Sequence, residues 1–211
     1  MTGLRFDDKY HEYRYDDVPV PSVTQILGDF EDVSCGIYRY KRDVLTGRLI
    51  PAETMRIAAK FGTYVHKACA LLLRNNLRWG SVPPEYAPIL LSFEEWLDEN
   101  PKVRERLIFV EEPMYSEKYQ YAGTPDFGYK DGRGHVIVDI KTGPQRKTHG
   151  AQLAAYEELY RENNKPKATI ERYCLYLSRD GKPATLKRYD SPDDWQYFLS
   201  MLNIRNYRGT E

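Results

Sequence analysis

Apolar positions change their spacing along this chain, and the change separates helical from extended stretches. Residues 4–20 alternate short apolar or aromatic runs with the polar groups DDK and DDV, a pattern of small β-turns. The segment VPSVTQIL follows, and Ser22 after Pro21 predicts the N-cap of a helix. Residues 36–49 predict a helix, and so do residues 53–75, where Ile57, Phe61, Val65, Cys69 and Leu72 recur at helical spacing. Another helix is predicted over 84–99, stopped at Asn100 and Pro101. The period then shortens to two. Residues 107–115, 119–129 and 135–141 predict three strands separated by SEK and DGRG turns. Helical spacing returns over 148–163, with Leu153, Tyr156, Leu159 and Tyr160. Residues 170–178 and 184–189 predict two strands about an RDGK turn, and residues 192–207 a closing helix. This order predicts an α/β (α+β) domain, a central mixed β-sheet flanked by helices. One domain is expected over residues 1–211, with a mostly helical region over 1–100 and the core over 101–211.

Composition narrows the chemistry. Hydrophobic residues make up 41% of the chain, enough for a folded core. Tyrosine is abundant, 18 against 7 phenylalanines, and its polar tip suits half-wet surfaces such as a groove for bases and phosphates, or is only a compositional habit. Lys plus Arg equals Asp plus Glu at 31 each, so a nucleic-acid site must be a local basic patch and not a property of the whole chain. Cys35, Cys69 and Cys174 are far apart with no CxxC, which suggests neither a disulfide framework nor a zinc module. The start MTGLRFDDKYHEYRYDD is acidic and has no apolar run, and no stretch approaches the ~20 apolar residues of a membrane span, so a cytoplasmic protein without membrane contact is expected.

The chemistry concentrates in GTPDFGYKDGRGHVIVDIKTG, residues 123–143. Side chains at i and i+2 of a strand share a face, so Asp139 and Lys141 project together while Ile140 faces the other way. Asp126 lies thirteen residues before Asp139, and a hairpin through DGRG brings the two carboxylates side by side. Two carboxylates, a backbone carbonyl and waters make an oxygen-rich site suited to Mg²⁺. An Asp-x-Lys on a strand edge is also what an ordinary surface ion pair looks like. Its place at the end of the apolar run VIV argues for a function, since interior strands rarely carry two charges on one face.

Pro125–Asp126, a short hairpin and Asp139-x-Lys141 resemble the signature of the PD-(D/E)XK nuclease superfamily. Three further segments resemble its RecB-like branch. FGTYVHKA matches a Gly-x-x-x-His helix motif at Gly62 and His66, GTPD a Gly-x-x-Asp form, and QLAAYEELY a Gln-x-x-x-Tyr motif at Gln152 and Tyr156. VPSVTQIL is similar to a segment of mitochondrial genome maintenance exonucleases and their phage-encoded relatives. The resemblance covers roughly residues 19–160.

The resemblance implies a restriction-endonuclease-like core with the N-terminal helical region over the active site. It implies Mg²⁺, with Mn²⁺ able to substitute, held by His66, Asp126, Asp139, the backbone carbonyl of Ile140 and one glutamate. Glu111 and Glu112 are adjacent on a predicted strand, so only one can face the site, and the resemblance favours Glu111. The catalytic set is Asp126, Asp139 and Lys141, with Lys141 positioning the attacking water and offsetting charge on the phosphorane. Gln152 and Tyr156, four apart on one helix face, would hydrogen-bond the scissile phosphate or Lys141.

Cations interleaved with aromatics suggest a track for a single strand: Tyr38, Arg39, Lys41 and Arg42 early in the chain, and Arg146, Lys147 and His149 after the core motif. A solvated charged surface is the plainer reading of either patch. Three scattered cysteines do not supply the four-cysteine iron–sulphur cluster of some RecB-like nucleases, and no Walker A motif is present. The expected protein is a phage or bacterial exonuclease acting on single-stranded DNA in recombination, repair or replication, with a recombination or replication protein as a further partner. The alternatives are a duplex or branched-DNA endonuclease of the same chemistry and a non-catalytic DNA-binding protein on this fold.

Overall fold

The computed structural model describes residues 3–7, 12–34 and 52–208. In chain order the elements are β1 (Leu4–Asp7), β2 (Glu12–Tyr15), β3 (Val18–Val20), α1 (Val23–Ser34), α2 (Ala52–Leu73), α3 (Ala87–Glu99), α4 (Lys102–Glu105), β4 (Leu107–Val110), β5 (Met114–Ser116), β6 (Tyr121–Gly123), β7 (Phe127–Asp131), β8 (Gly134–Lys141), α5 (Thr148–Asn164), β9 (Ile170–Tyr176), β10 (Thr185–Arg188) and α6 (Asp193–Arg208). Ser22 is the N-cap that VPSVTQIL predicts. Its hydroxyl accepts from the Gln25 amide at 3.0 Å and the Gln25 side chain accepts from the Ser22 amide at 2.9 Å, so two otherwise orphan donors at the start of α1 are satisfied. The helix predicted over 36–49 lies outside the described residues.

The central sheet runs β10–β9–β8–β7–β4, with β8 and β9 parallel and the other neighbours antiparallel. Alternation along β8 divides its side chains between two cores. Val136, Val138 and Ile140 join Val65, Cys69, Leu72 of α2 and Phe93, Leu97 of α3. Ile137 joins Leu153 and Leu159 of α5, Phe198 of α6 and Ile26 of α1 on the opposite face. The sheet is therefore covered on both sides, as the order of predicted elements requires. The apolar stripe of α2 is shorter than its spacing suggests, since Ile57 is exposed. Most of the tyrosines in the described core serve packing: Tyr121 is fully buried with its hydroxyl donating to the Ala155 carbonyl at 2.9 Å. No helix among the described residues is long and apolar enough to cross a membrane.

The structure departs from the sequence reading at two long predicted strands. The stretch 107–115 breaks at Glu111, whose backbone takes φ 50, so β4 stays in the central sheet and β5 leaves it. The stretch 119–129 breaks at residues 124–126, so β6 pairs with β5 while β7 rejoins the sheet. Pro113 and Pro125 have no N–H to give a ladder, which accounts for pairing stopping beside them. The β5–β6 hairpin is pinned to α5 by Glu162, which accepts from the Ser116 hydroxyl at 2.6 Å and the Glu117 amide at 2.8 Å. A third sheet, β1–β2–β3, packs on this hairpin through Tyr15 stacked on Tyr115 and a bridge of Ser22 to Ala122.

Candidate active site

Asp126 sits where β7 begins, one residue before Phe127, which pairs with Val138. That register places Asp126 beside the end of β8. Beyond Phe127 the antiparallel ladder has no further backbone partner, and the Ile140 amide donates instead to Asp126 Oδ2 at 2.5 Å. A residue's N–H and C=O point to the same side of a strand, so the Ile140 carbonyl opens toward the same gap. Glu111 stands at the other break: its amide donates to the Asp126 carbonyl at 2.8 Å. The two carboxylates thus occupy the points where the chain leaves the central sheet and re-enters it. Glu111 reaches the site through its left-handed backbone and not through strand alternation, and Glu112 is exposed.

His66 arrives from α2, four residues past Gly62 on the same face, and its Nδ1 is 2.6 Å from Asp126 Oδ1. On the other side of the sheet plane Asp139 and Lys141 share a face, as predicted, with Lys141 Nζ 2.5 Å from Asp139 Oδ2. Gln152 of α5 accepts from Lys141 Nζ at 2.7 Å on Oε1, and its Nε2 donates to the Tyr156 hydroxyl at 3.0 Å while leaning toward Asp139 Oδ1 at 3.4 Å. Of the two partners their spacing allows, Gln152 meets the lysine, and Tyr156 meets Gln152. Asp126 is 5% and Asp139 3% exposed, so both carboxyls are lodged at the base of a cavity of about 820 Å³.

Burial and neighbours oppose each other here. Burial disfavours the charged His66 ring, but the adjacent Asp126 carboxylate outweighs it and pushes the imidazole up to about 9. Burial would raise Asp126, and His66 with the Ile140 amide hold it below the usual carboxylate range. Burial raises Asp139 in spite of Lys141. Burial, with Asp126 nearby, pushes Glu111 up to about 7.

His66, Glu111 and Asp126 each offer a ligand atom, all within 4.8 Å of one another. One imidazole nitrogen and carboxylate oxygens suit a divalent cation. Asp139 is not in that compact group. Its Oδ2 is buried against the Lys141 ammonium, and its Oδ1 has only a long contact of 3.4 Å to Gln152 Nε2, which leaves an oxygen with unused capacity in the same cavity. The residues present therefore fit a divalent metal ion.

The other expected residues fare differently. Arg146 and Lys147 are exposed beyond the end of β8. His149 does not join them as a cation. It is buried, its Nδ1 is 2.7 Å from the Tyr176 hydroxyl and accepts from the Arg146 amide at 3.4 Å, and burial with Lys141 nearby lowers it to about 3. Its place on the inner face of α5 is the reason, for it packs between helix and sheet. Tyr38, Arg39, Lys41 and Arg42 lie outside the described residues. The sequence reading gave no site role to part of the cavity wall: Phe6 and Tyr13 from the β1–β2–β3 sheet, Ser22, Thr24 and Gln25 from the start of α1, and Lys67 beside His66. Lys67, next to a motif histidine, carried a local signal. Ser22, Thr24 and Gln25 lie within VPSVTQIL and carried one too, whereas Phe6 and Tyr13 carried none, because they reach the site only through packing of the β1–β2–β3 sheet.

The crystal structure of SSO0001 is 15% identical to this chain, with a TM-score of 0.42 over 86% of this chain and 72% of that one. The crystal structure of a protein from Eubacterium rectale, whose exonuclease role is itself only inferred, is 12% identical, with a TM-score of 0.47 over 70% of this chain and 65% of that one. No curated protein matches the chain. The family model of the PD-(D/E)XK nuclease superfamily matches residues 84–208, a span that holds Glu111, Asp126, Asp139, Lys141, Gln152 and Tyr156. With that match over more than half of its 211 residues, and with those side chains gathered in one cavity, the chain belongs to the PD-(D/E)XK nuclease superfamily.

Proposed function

We propose that this protein is a divalent-metal-dependent exonuclease of the RecB-like branch that degrades single-stranded DNA from an end. The observation that carries the reading is the His66–Glu111–Asp126 ligand group standing beside the Asp139–Lys141 pair in one cavity. His66, Glu111, Asp126 and Asp139, with the Ile140 carbonyl, would hold Mg²⁺. When bound, that ion supplies Lewis acidity to a phosphate oxygen and lowers the pKa of a water.

The protein's own groups do the rest. Lys141 Nζ, fixed between Asp139 and Gln152, is poised to hold the attacking water and to offset the charge that builds on phosphorus. Gln152 is a positioning residue that acts through Lys141, and Tyr156 fixes which way the Gln152 amide points. Water oxygen bonds to phosphorus, the P–O3′ bond breaks, the water proton leaves to solvent, and the 3′ oxygen takes a proton. A 5′-phosphate and a 3′-hydroxyl result.

Support for a single strand comes from the walls of the cavity. The β1–β2–β3 sheet, the start of α1, α2 and α5 all contribute side chains around carboxyls that are almost wholly buried. A flexible strand can bring a phosphate to that depth more easily than a paired duplex. The test uses end-labelled linear single strands, blunt duplex and closed single-stranded circles with Mg²⁺. Linear single strands should be degraded, with duplex resistant and circles spared. Rapid cutting of circles would replace the exonuclease with an endonuclease, and no cleavage of any form would overturn the nuclease reading.

A further inference from the structure

The catalytic cavity does not end at Lys141. His66 and Lys141 also line a neighbouring hollow of about 200 Å³, which continues along Thr142, Gly143 and Pro144. Those three residues in turn line a third hollow of about 580 Å³ between the loop after β8 and the hairpin joining β9 to β10. The three spaces are thus neighbours that share walls, set in a row across the ends of the parallel pair β8 and β9.

The sign of charge changes along this row. The catalytic cavity holds Glu111, Asp126 and Asp139. The middle hollow adds Arg146, and the far hollow is lined by Arg179 and Lys182 with no carboxylate among its described lining residues. Carboxylates suit the metal ion, whereas cations without carboxylates suit phosphates. Pro144, Leu177 and Pro183 give the far hollow apolar surface on which a base or sugar can rest.

The far hollow is also braced. The Arg179 guanidinium lies 4.1 Å from the ring centre of Phe61, on α2 five residues before His66. The Ser92 hydroxyl of α3 donates to the Lys182 carbonyl at 2.8 Å. On the opposite rim Lys187 Nζ donates to Gln145 Oε1 at 2.7 Å, tying the loop after β8 to β10. Three elements outside the hairpin thus hold its walls, so little ordering is needed when a ligand arrives. Lys182 is ion-paired to Asp180 at 2.7 Å, but both side chains are open to solvent, where such a pair is worth little against a phosphate.

We infer that the groove between the loop after β8 and the β9–β10 hairpin is a second nucleotide-binding subsite, in which Arg179 and Lys182 contact the sugar–phosphate backbone of the same strand beyond the scissile bond. The inference rests on the nuclease reading above and names where the rest of its substrate lies. It predicts that strands long enough to span both hollows bind better than strands that fill only the catalytic cavity.

The test measures binding of fluorescent oligothymidylates by anisotropy with Ca²⁺ present, using a strand of about 12 nucleotides and a trinucleotide. Four proteins are compared: the full chain, the Arg179→Ala/Lys182→Ala double variant, Lys182→Glu alone, and a control with the exposed cations Lys130→Ala/Arg133→Ala at the far end of the sheet. The double variant should bind the longer strand about tenfold more weakly. Its plot of log affinity against log salt should flatten by about 1.4, two phosphate contacts at about 0.7 each. The control should change by less than about threefold, the range of a non-specific charge effect. Lys182→Glu repeats the test on a side chain that is 74% exposed, without disturbing the packing of Arg179 on Phe61. Equal binding of the longer strand by variants and control, in a protein that still cuts DNA with Mg²⁺, would overturn the subsite alone. A full-length protein that neither cuts nor binds any of these strands would overturn the nuclease reading, and the subsite with it.

Discussion

His66 Nδ1 lies 2.6 Å from Asp126 Oδ1, although 60 positions separate the two residues in sequence. The contact joins α2 to the start of β7 and holds a charged imidazole against an ionised carboxylate, each favouring the other's charge. A divalent ion held by this group would take over the role of the imidazolium proton. Glu111 stands within reach of both. The same three residues could thus be held together by a proton or by a metal, and four expectations follow from this arrangement and its surroundings.

Removal of divalent ions should abolish cleavage. With EDTA no product is expected, Mg²⁺ or Mn²⁺ should restore it, and Ca²⁺ should support it weakly because it is larger and less suited to octahedral water activation. Mg²⁺ should also raise the melting temperature of the wild type, by linkage worth about 2.7 kcal/mol at a hundredfold excess over Kd. Asp126→Asn keeps an acceptor for the Ile140 amide, so it should fold, yet lose the Mg²⁺-dependent rise and at least about 100-fold in cleavage. Calorimetric melts with and without Mg²⁺ check the first effect independently of activity.

Lys141→Met should lower cleavage by at least about 100-fold, the usual loss when a group that meets transition-state charge is removed. The Lys141 and Asp139 side chains are only 17% and 4% exposed, so the substitution also strands a buried carboxyl, which then takes up a proton. A stability loss of about 1–3 kcal/mol is expected in urea melts. Single-turnover rates on folded variant within about threefold of wild type would remove Lys141 from the mechanism.

Two glycines near the site should respond in opposite ways. A Cβ at Gly123 would meet Tyr156 Cε1 at 2.7 Å and Val23 Cγ2 at 2.9 Å, so Gly123→Ala should cost about 1–3 kcal/mol through overpacking. A Cβ at Gly62, inside α2, would find only Thr142 Oγ1 at 3.7 Å, an ordinary contact. Gly62→Ala should therefore raise stability by about 0.5–1 kcal/mol through helix propensity. Gly62 lines the catalytic cavity, so cleavage should fall even as the protein becomes more stable. Rising stability with unchanged KM and kcat would mean that no substrate passes close to this helix.

His149 should leave a mark on acid stability. Burial and the nearby Lys141 lower its folded pKa to about 3 from the ordinary 6.5. Between these values the unfolded chain binds a proton at this position and the folded chain does not, so stability rises with pH. The contribution is complete above about 6.5 and is lost as pH falls toward about 3. In urea melts across this window, His149→Gln should give a shallower slope of unfolding free energy against pH than the wild type. Identical slopes would place the histidine in solvent.

The cavity core was legible before the fold was known. Asp139 and Lys141 share a face because strand periodicity is two, and Asp126 meets them because a short hairpin fixes its register opposite β8. The helix faces of Gln152 and Tyr156, and the capping box at Ser22, are equally local. The breaks at Glu111 and at residues 124–126 were missed although Pro113 and Pro125 mark them, because a proline in the sequence does not say which side of the break leaves the sheet. Alternation allowed only one of Glu111 and Glu112 to face the site and the resemblance favoured Glu111, whereas in the structure it is a left-handed backbone that turns Glu111 toward the cavity. His149 misleads in the same way: a polar residue beside two exposed cations reads as surface, and only α5 lying on the sheet buries it.

The sequence by itself determined which side chains share a face and which elements hold them, since side-chain period, capping and hairpin spacing act over a few residues. Only the tertiary structure decided where the chain leaves the central sheet, that His66 reaches Asp126 across 60 positions, and that a third sheet and the β9–β10 hairpin wall the groove. Those outcomes depend on which surfaces bury one another, and burial is a property of distant residues packed together that no local pattern encodes.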